Sequence, residues 1–267
     1  MSYWEAIILA IIEGLTEFLP VSSTGHLILG TAALGIEPSD YVKLFTIAVQ
    51  PGAILAVVVL YWKRFFKSID FYFKLLLAFI PAAVFGLLFN KQIDALLESP
   101  LTVGITLLIG GIIFLFVDKW FKSNEEITNQ EITNKKAVIV GFFQVLSMIP
   151  GTSRSGATII GGLVGKLNRK NAAEFSFFLA VPTLLAATGY KLVKFIAQSD
   201  APFQSNNEIY MLIVGNLVAF IVGIIAIKGF ISFLTKYGLA YFGWYRIVLG
   251  AIIILLIAFN VDLKLID

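Results

Sequence analysis

The sequence predicts an all-α polytopic membrane protein built as an inverted-topology repeat, each half one re-entrant helical hairpin followed by three transmembrane helices. Three observations carry this expectation. Of the 267 residues, 58% are hydrophobic and only 14% charged, with a mean hydropathy of +0.90, which excludes an ordinary soluble domain. Six apolar runs approach the ~20 residues that a spanning helix needs. Four shorter runs come as two pairs, each split by a Pro/Gly/Ser/Thr stretch that breaks a helix and is too polar to face lipid. There is no cysteine, hence neither a disulfide framework nor a thiolate metal site. A formal charge of +3 is small and scattered along the chain, so no nucleic acid partner is expected.

The first repeat is assigned to residues 1–118. It opens with a re-entrant hairpin over 3–35, whose two apolar arms flank Pro20–Gly25. Met1–Ile12 lacks a basic leading region, so no cleavable signal peptide is expected. Spans follow at 42–62, 71–89 and 101–117. Residues 119–135 form a polar cytoplasmic linker. The second repeat, 136–267, has its hairpin at 136–165 around Pro150–Gly156, then spans at 174–197, 209–228 and 244–260. The two repeats form one integrated membrane domain. Backbone N–H and C=O groups left unpaired in a broken helix are tolerated at membrane depth only inside protein, so the two polar loops should meet in the interior. Gln50-Pro51-Gly52 marks a kink in the first span. Gly104, Gly110, Gly111, Gly161, Gly162 and Gly165 suit close helix contact. Trp62, Trp120, Trp244, Tyr61, Tyr241 and Tyr245 fall at span ends, as interfacial anchors do.

Each half crosses the membrane an odd number of times, so the halves are inverted relative to each other. With that topology one face collects Lys63, Arg64, Lys67, Lys74, Lys119, Lys122, Lys135, Lys136, Lys166, Arg169, Lys170, Lys228, Lys236 and Arg246. The other has Lys43, Lys91, Lys191, Lys194 and Lys264. Fourteen basic residues against five places the second hairpin on the cytoplasmic side, with both termini and the first hairpin outside.

The chemistry concentrates in the hairpin loops. Glu13 and Glu17 lie one turn apart on one helix face. Two carboxylates in a low-dielectric place need a proton, a cation or an arginine between them. A hard divalent cation, Mg²⁺ or Ca²⁺, held by these carboxylates plus substrate phosphate oxygens fits; a purely structural pair with one proton is the alternative. Ser22, Ser23 and Thr24 stand where a new helix begins, as caps or as part of a phosphate site at a helix N-terminus. His26, the single histidine, lies close by, and a serine beside an imidazole is a minimal set for nucleophilic attack. In the second loop, Arg154 among Thr152, Ser153 and Ser155 is a phosphate clamp by type, or the ion-pair partner of Glu13 or Glu17. The halves resemble one another loosely, with Gln144 standing where the first half has Glu13. Together these are the parts of a phosphoryl-transfer site without a Walker or kinase motif. A lipid-phosphate flippase or anion transporter of inverted-repeat architecture is the rival reading; a hydroxyl nucleophile beside a histidine favours an enzyme.

The blocks E-G-L-T-E-F-L-P-V-S-S-T-G-H at 13–26, V-Q-P-G-A-I-L at 49–55 and P-G-T-S-R-S-G-A-T at 150–158 resemble the undecaprenyl-diphosphate phosphatase family, also called bacitracin resistance proteins. The resemblance covers the whole chain. It implies hydrolysis of undecaprenyl diphosphate to undecaprenyl phosphate and inorganic phosphate, which recycles the lipid carrier for peptidoglycan and other envelope polymers. It implies Ser23 as nucleophile with His26 assisting, Glu13 and Glu17 handling the metal and protons, and Arg154 gripping the diphosphate. Ser22, Thr24, Gly25, Thr152, Ser153 and Ser155 would complete the substrate site. A phosphoserine and a metal-bound water both remain open as the means of attack. The implied location is the bacterial inner (cytoplasmic) membrane, among membrane lipids, with the site facing outside. Bacitracin would compete for the polyprenyl diphosphate rather than bind the protein, and a homodimer is allowed.

Overall fold

The computed structural model describes residues 1–66, 68–97, 99–198, 205–261 and 263. Lys67 and Lys264, counted above among the basic residues, lie outside the described residues. The first hairpin consists of α1 (Tyr3–Thr16) and α2 (Ser23–Leu34). α1 starts at a reciprocal cap, in which the Glu5 N–H donates to Ser2 Oγ and the Ser2 N–H donates to Glu5 Oε2. α2 ends at Gly35, whose φ of 65° is the left-handed conformation a helix stop favours. Then come α3 (Asp40–Ala48), α4 (Gln50–Leu60), the short α5 (Trp62–Phe65), α6 (Ile69–Leu88), α7 (Asn90–Leu97) and α8 (Pro100–Trp120). Ser39, Ser68 and Ser99 cap α3, α6 and α8 with their hydroxyls. A 3₁₀ turn at Lys122–Glu126 leads to the second hairpin, α9 (Asn134–Leu146) and α10 (Arg154–Val164). The long helices α11 (Arg169–Gln198), α12 (Asn206–Tyr237) and α13 (Ala240–Ala258) close the chain.

Six stretches are long and apolar enough to cross a membrane: Asp40–Leu60, Ile69–Leu88, Pro100–Trp120, Arg169–Ala197, Asn206–Tyr237 and Ala240–Ala258. They fall on the six expected spans, and the chain is an all-α, multi-pass membrane protein. Its outer surface agrees. Along α12, Ile213, Leu217, Ile221 and Ile225 recur every fourth residue and are 50–64% exposed. In water such a stripe would be an association surface; in a bilayer it is the lipid face.

The break in the first span lies between α3 and α4, at Val49, ahead of Pro51. Pro51 lacks an N–H, and the distorted turn leaves polar backbone exposed. Asn216 of α12 repairs it: Oδ1 accepts from the Gly52 N–H at 2.8 Å, and Nδ2 donates to the carbonyls of Ala48 and Leu212 at 2.8 and 2.9 Å. The kink therefore has a structural partner built into the opposite helix.

Helices α8 and α13 run together so closely that their backbones touch. A Cβ on Gly250 would stand 2.7 Å from the Gly104 carbonyl oxygen, and one on Gly111 2.8 Å from that of Gly243. Small residues at this spacing are what lets membrane helices approach. α1 packs on α12 and α9 packs on α6, so the first arm of each hairpin rests on a span from the other half. That arrangement carries both polar loops into the interior, where they face each other.

Candidate active site

Both loops end in the same local device. Ser22 (φ 69°, ψ 100°) caps α2 and Ser153 (φ 70°, ψ 115°) caps α10. Their hydroxyls accept from the N–H groups of Gly25 and Gly156 at 3.4 and 3.2 Å. A non-glycine residue held there costs on the order of 1–3 kcal/mol. The strain has an effect: the residue after each cap, Ser23 in one loop and Arg154 in the other, opens a helix and sits with its free N–H groups.

The loops are tied together from outside the hairpins by Arg246 of α13. Its side chain is fully buried. Nη1 donates to the Pro20 carbonyl at 3.1 Å, while Nη2 donates to those of Gly151 and Thr106 at 3.0 and 3.3 Å. The guanidinium also lies over the Phe114 ring, 5.2 Å from its centre. Two carbonyls freed by broken helix geometry, those of Pro20 and Gly151, thus find a donor in one side chain, which also ties them to α8 through Thr106. This corrects the sequence expectation that put Arg246 among the basic residues of the cytoplasmic face. α13 begins at Ala240, not 244, and carries Arg246 two turns inside. Thr106 adds a hydroxyl bond to the Pro150 carbonyl. Gly151 must be glycine: its φ is 84°, and a Cβ would meet the Val103 backbone.

Between the loops runs a chain of charge-assisted contacts. The Ser23 hydroxyl donates to Glu17 Oε2 at 2.8 Å. Glu17 Oε1 accepts from Arg154 Nη2 at 2.9 Å. Arg154 Nη1 donates to the Ser176 carbonyl of α11 at 3.1 Å, and its guanidinium stands 5.8 Å from the Phe18 ring centre. The side chains of Arg154 and Glu17 are only 10% and 6% exposed, so the pair is poorly screened. Ser155 donates to the Leu19 carbonyl at 2.8 Å and also contacts Ser153 Oγ at 3.0 Å, locking the second loop against the first. These groups border a cavity of about 150 Å³ whose wall includes Glu17, Ser22, Ser23, Thr24, Ser153 and Arg154, with Gln50, Ser147 and Leu184.

Other expected site residues stand outside that wall. Gly25 and Ser155 are buried in the loop hydrogen bonding, and Thr152 donates its N–H to the Ile149 carbonyl. His26 is turned aside: Nδ1 lies 2.7 Å from the Ser22 carbonyl oxygen and Nε2 2.6 Å from the Tyr245 hydroxyl. A carbonyl can only accept, so Nδ1 carries the proton and Nε2 accepts from Tyr245. The structure therefore pairs Ser23 with Glu17 and leaves His26 bonded to the cap. Tyr245, read from sequence as an interfacial anchor, keeps about half its surface exposed while its hydroxyl is committed to His26. Gln50, Ser147 and Leu184 of the wall were not expected as site residues; Gln50 alone gave a signal, as a polar residue beside proline in an apolar run.

A hard divalent cation takes oxygen ligands, with one or two carboxylates from the protein and the remainder from water and phosphate. Glu17, in the wall, suits that role together with substrate oxygens. Glu13 is fully buried one turn behind it and does not border the cavity. Among the described residues, no three His, Cys, Asp or Glu side chains gather as a metal cluster; Glu17 is the carboxylate in the wall, and its two oxygens meet Ser23 and Arg154.

A helical membrane protein with a hydroxyl, a carboxylate and an arginine converging between two broken helices belongs to the class that handles a phosphorylated substrate at membrane depth. The model of the bacitracin resistance protein BacA family matches residues 6–252, and the chain belongs to that family. It is 58% identical over 266 residues to an undecaprenyl-diphosphatase of Flavobacterium psychrophilum, with all of both chains covered. It is 49% identical to one from Bdellovibrio bacteriovorus, again over both full lengths. An undecaprenyl-diphosphatase of Porphyromonas gingivalis is 48% identical, with 98% of this chain and 99% of the relative covered.

Proposed function

We infer that this chain is an undecaprenyl-diphosphatase: a membrane hydrolase that converts undecaprenyl diphosphate and water to undecaprenyl phosphate and inorganic phosphate. Full-length relatives carrying that name support the activity, and one geometric observation carries the mechanism. It is the relay Ser23–Glu17–Arg154, in which a single carboxylate accepts the hydroxyl proton donor at 2.8 Å and an arginine at 2.9 Å. A flippase has no use for a serine hydrogen-bonded to a buried carboxylate.

In this reading the terminal phosphate lies between Ser23 and Arg154, against the N-termini of α2 and α10, where free N–H groups and helix dipoles favour an anion. Arg154 turns from Glu17 to the phosphate and offsets the charge that grows in the transition state. Glu17, released from the ion pair, takes the Ser23 proton. Ser22, Thr24 and Ser153 add donors around the phosphate. His26 assists through the cap: its Nδ1–H holds the Ser22 carbonyl and so fixes Ser23. A divalent cation, Mg²⁺ or Ca²⁺, would be held by Glu17 and would neutralise phosphate oxygens, with Glu13 behind it as a further carboxylate. The site faces the outside of the bacterial inner membrane, on the argument of the basic-residue bias. Bacitracin acts on the lipid diphosphate that the enzyme consumes.

Phosphate release by the purified chain in non-ionic detergent tests this. The wild-type chain should release phosphate from undecaprenyl diphosphate, and Ser23→Ala and Arg154→Ala should each lose about 10²-fold or more. Release at the wild-type rate by both variants would overturn the site.

A further inference from the structure

A second cavity, of about 170 Å³, adjoins the first. The two share Ser23, Thr24, Gln50 and Leu184 as wall residues, so they meet at the reactive hydroxyl. The character of the wall then changes. Leu27, Ile28, Ile47 and Ala187 make it apolar, and a single charged side chain, Lys191, stands in it. Leu184, Ala187 and Lys191 are spaced i, i+3, i+7 and share one face of α11. Leu184 and Lys191 are separated by about 10 Å of helix axis. Helical side chains tilt toward the N-terminus, which directs the four-carbon stem of Lys191 back along this wall toward Leu184 and the shared rim. Lys191 makes no hydrogen bond or ion pair with any described residue. An uncompensated ammonium on a half-buried stem, in a cavity with an apolar floor, fits a ligand with an anionic head and a hydrocarbon continuation.

The first cavity has one cationic side chain in its wall, Arg154, and in the reading above the terminal phosphate takes it. Whichever oxygen attacks, that of Ser23 or of water, the bond from the terminal phosphorus to the bridging oxygen breaks. Its electron pair leaves on the bridging oxygen, which stays with the lipid monophosphate. Negative charge therefore develops on the phosphate nearer the lipid, away from Arg154. We propose that Lys191 binds this lipid-side phosphate in the second cavity, as the residue that holds the leaving group and its monophosphate product, with the first isoprenyl carbons against Leu27, Ile28 and Ala187. The assignment rests on the hydrolase reading above and adds a division of labour: Arg154 takes the terminal phosphate, Lys191 the one that remains on the lipid.

The two products separate these roles. The full chain is assayed in non-ionic detergent free of phospholipid, so that the only lipid phosphate present is substrate or product, with radiolabelled substrate reporting turnover. Undecaprenyl phosphate and inorganic phosphate are added separately as inhibitors. Lys191→Gln should weaken inhibition by undecaprenyl phosphate about tenfold, the scale of one hydrogen bond to a charged group. Inhibition by inorganic phosphate should stay within about twofold of wild type, and kcat/KM should fall by a factor similar to the loss of lipid-product binding. Lys191→Arg should recover most of both. Lys194→Gln, which removes the same charge one turn on but outside the cavity wall, should change neither and controls for the general field. Unchanged inhibition by undecaprenyl phosphate in Lys191→Gln overturns the proposal, as does an equal weakening of both inhibitors or an equal effect of Lys194→Gln. A wild-type chain that releases no phosphate would instead overturn the hydrolase reading itself.

Discussion

Glu17→Gln keeps the shape of the side chain between the two loops and removes its charge. Two losses follow from the geometry. The Ser23 hydroxyl, 2.8 Å from Oε2, no longer faces a group able to take its proton, and general-base help of this kind contributes roughly 10²–10⁴-fold. Arg154 loses the counter-charge 2.9 Å away and keeps only the Ser176 carbonyl at 3.1 Å. Removing one member of a buried ion pair costs about 3–5 kcal/mol, because the other charge is left uncompensated. The double variant Glu17→Gln/Arg154→Gln separates the two effects. With both charges gone, the stability penalty should be smaller than the sum of the two single penalties, a coupling that a double-mutant cycle reads directly. Turnover should not return. The assays are melting of the detergent-solubilised protein and phosphate release from undecaprenyl diphosphate. Additive stability losses would show that the pair does not interact as described. A Glu17→Gln variant that turned over at the wild-type rate would refute Glu17 as the base.

Two further substitutions probe how the loops are held. Arg246→Gln cannot reach the loop carbonyls of Pro20 and Gly151 together; each buried acceptor left unpaired costs about 1–3 kcal/mol, so the protein should lose stability on that scale and lose activity although Arg246 does not border the cavity, and an unchanged melting curve would contradict the brace. Asn216→Ala takes the donor from the Ala48 carbonyl and leaves the Gly52 N–H with only its longer bond to the Val49 carbonyl at 3.2 Å, so amide exchange at Gly52 should quicken along with a loss of about 1–3 kcal/mol in stability; wild-type protection of that amide would mean that another group repairs the kink.

The six spans were legible because lipid demands long apolar runs, and the helix breaks after Thr16 and Leu146 because the stretches around Pro20 and Pro150 are too polar to face it. The meeting of the loops followed from the same rule, and Arg154 with Glu17 was among the pairings the charges required. Arg246 was hidden by a helix boundary. A start at 244 makes it a residue of the interface, whereas the start at Ala240 buries it, and a shift of four residues changes its meaning entirely. Asn216 was visible as a polar residue in an apolar span, but its partner, the backbone around Pro51, is 164 positions away from it at Gly52, and periodicity has no access to such a pairing. The closeness of Ser23 and His26 in sequence suggested a serine–imidazole pair. The positive φ of Ser22 starts α2 so that Ser23 faces Glu17 while His26 turns back to the cap carbonyl, an orientation set by backbone conformation rather than by residue order.

The most direct test of the account is the structure of the chain bound to a non-hydrolysable lipid diphosphate. The account predicts the terminal phosphate between Ser23 Oγ and the Arg154 guanidinium, with the contact between Arg154 and Glu17 broken and the lipid chain leaving through the second cavity. A diphosphate held elsewhere, with Arg154 still paired to Glu17, would contradict it.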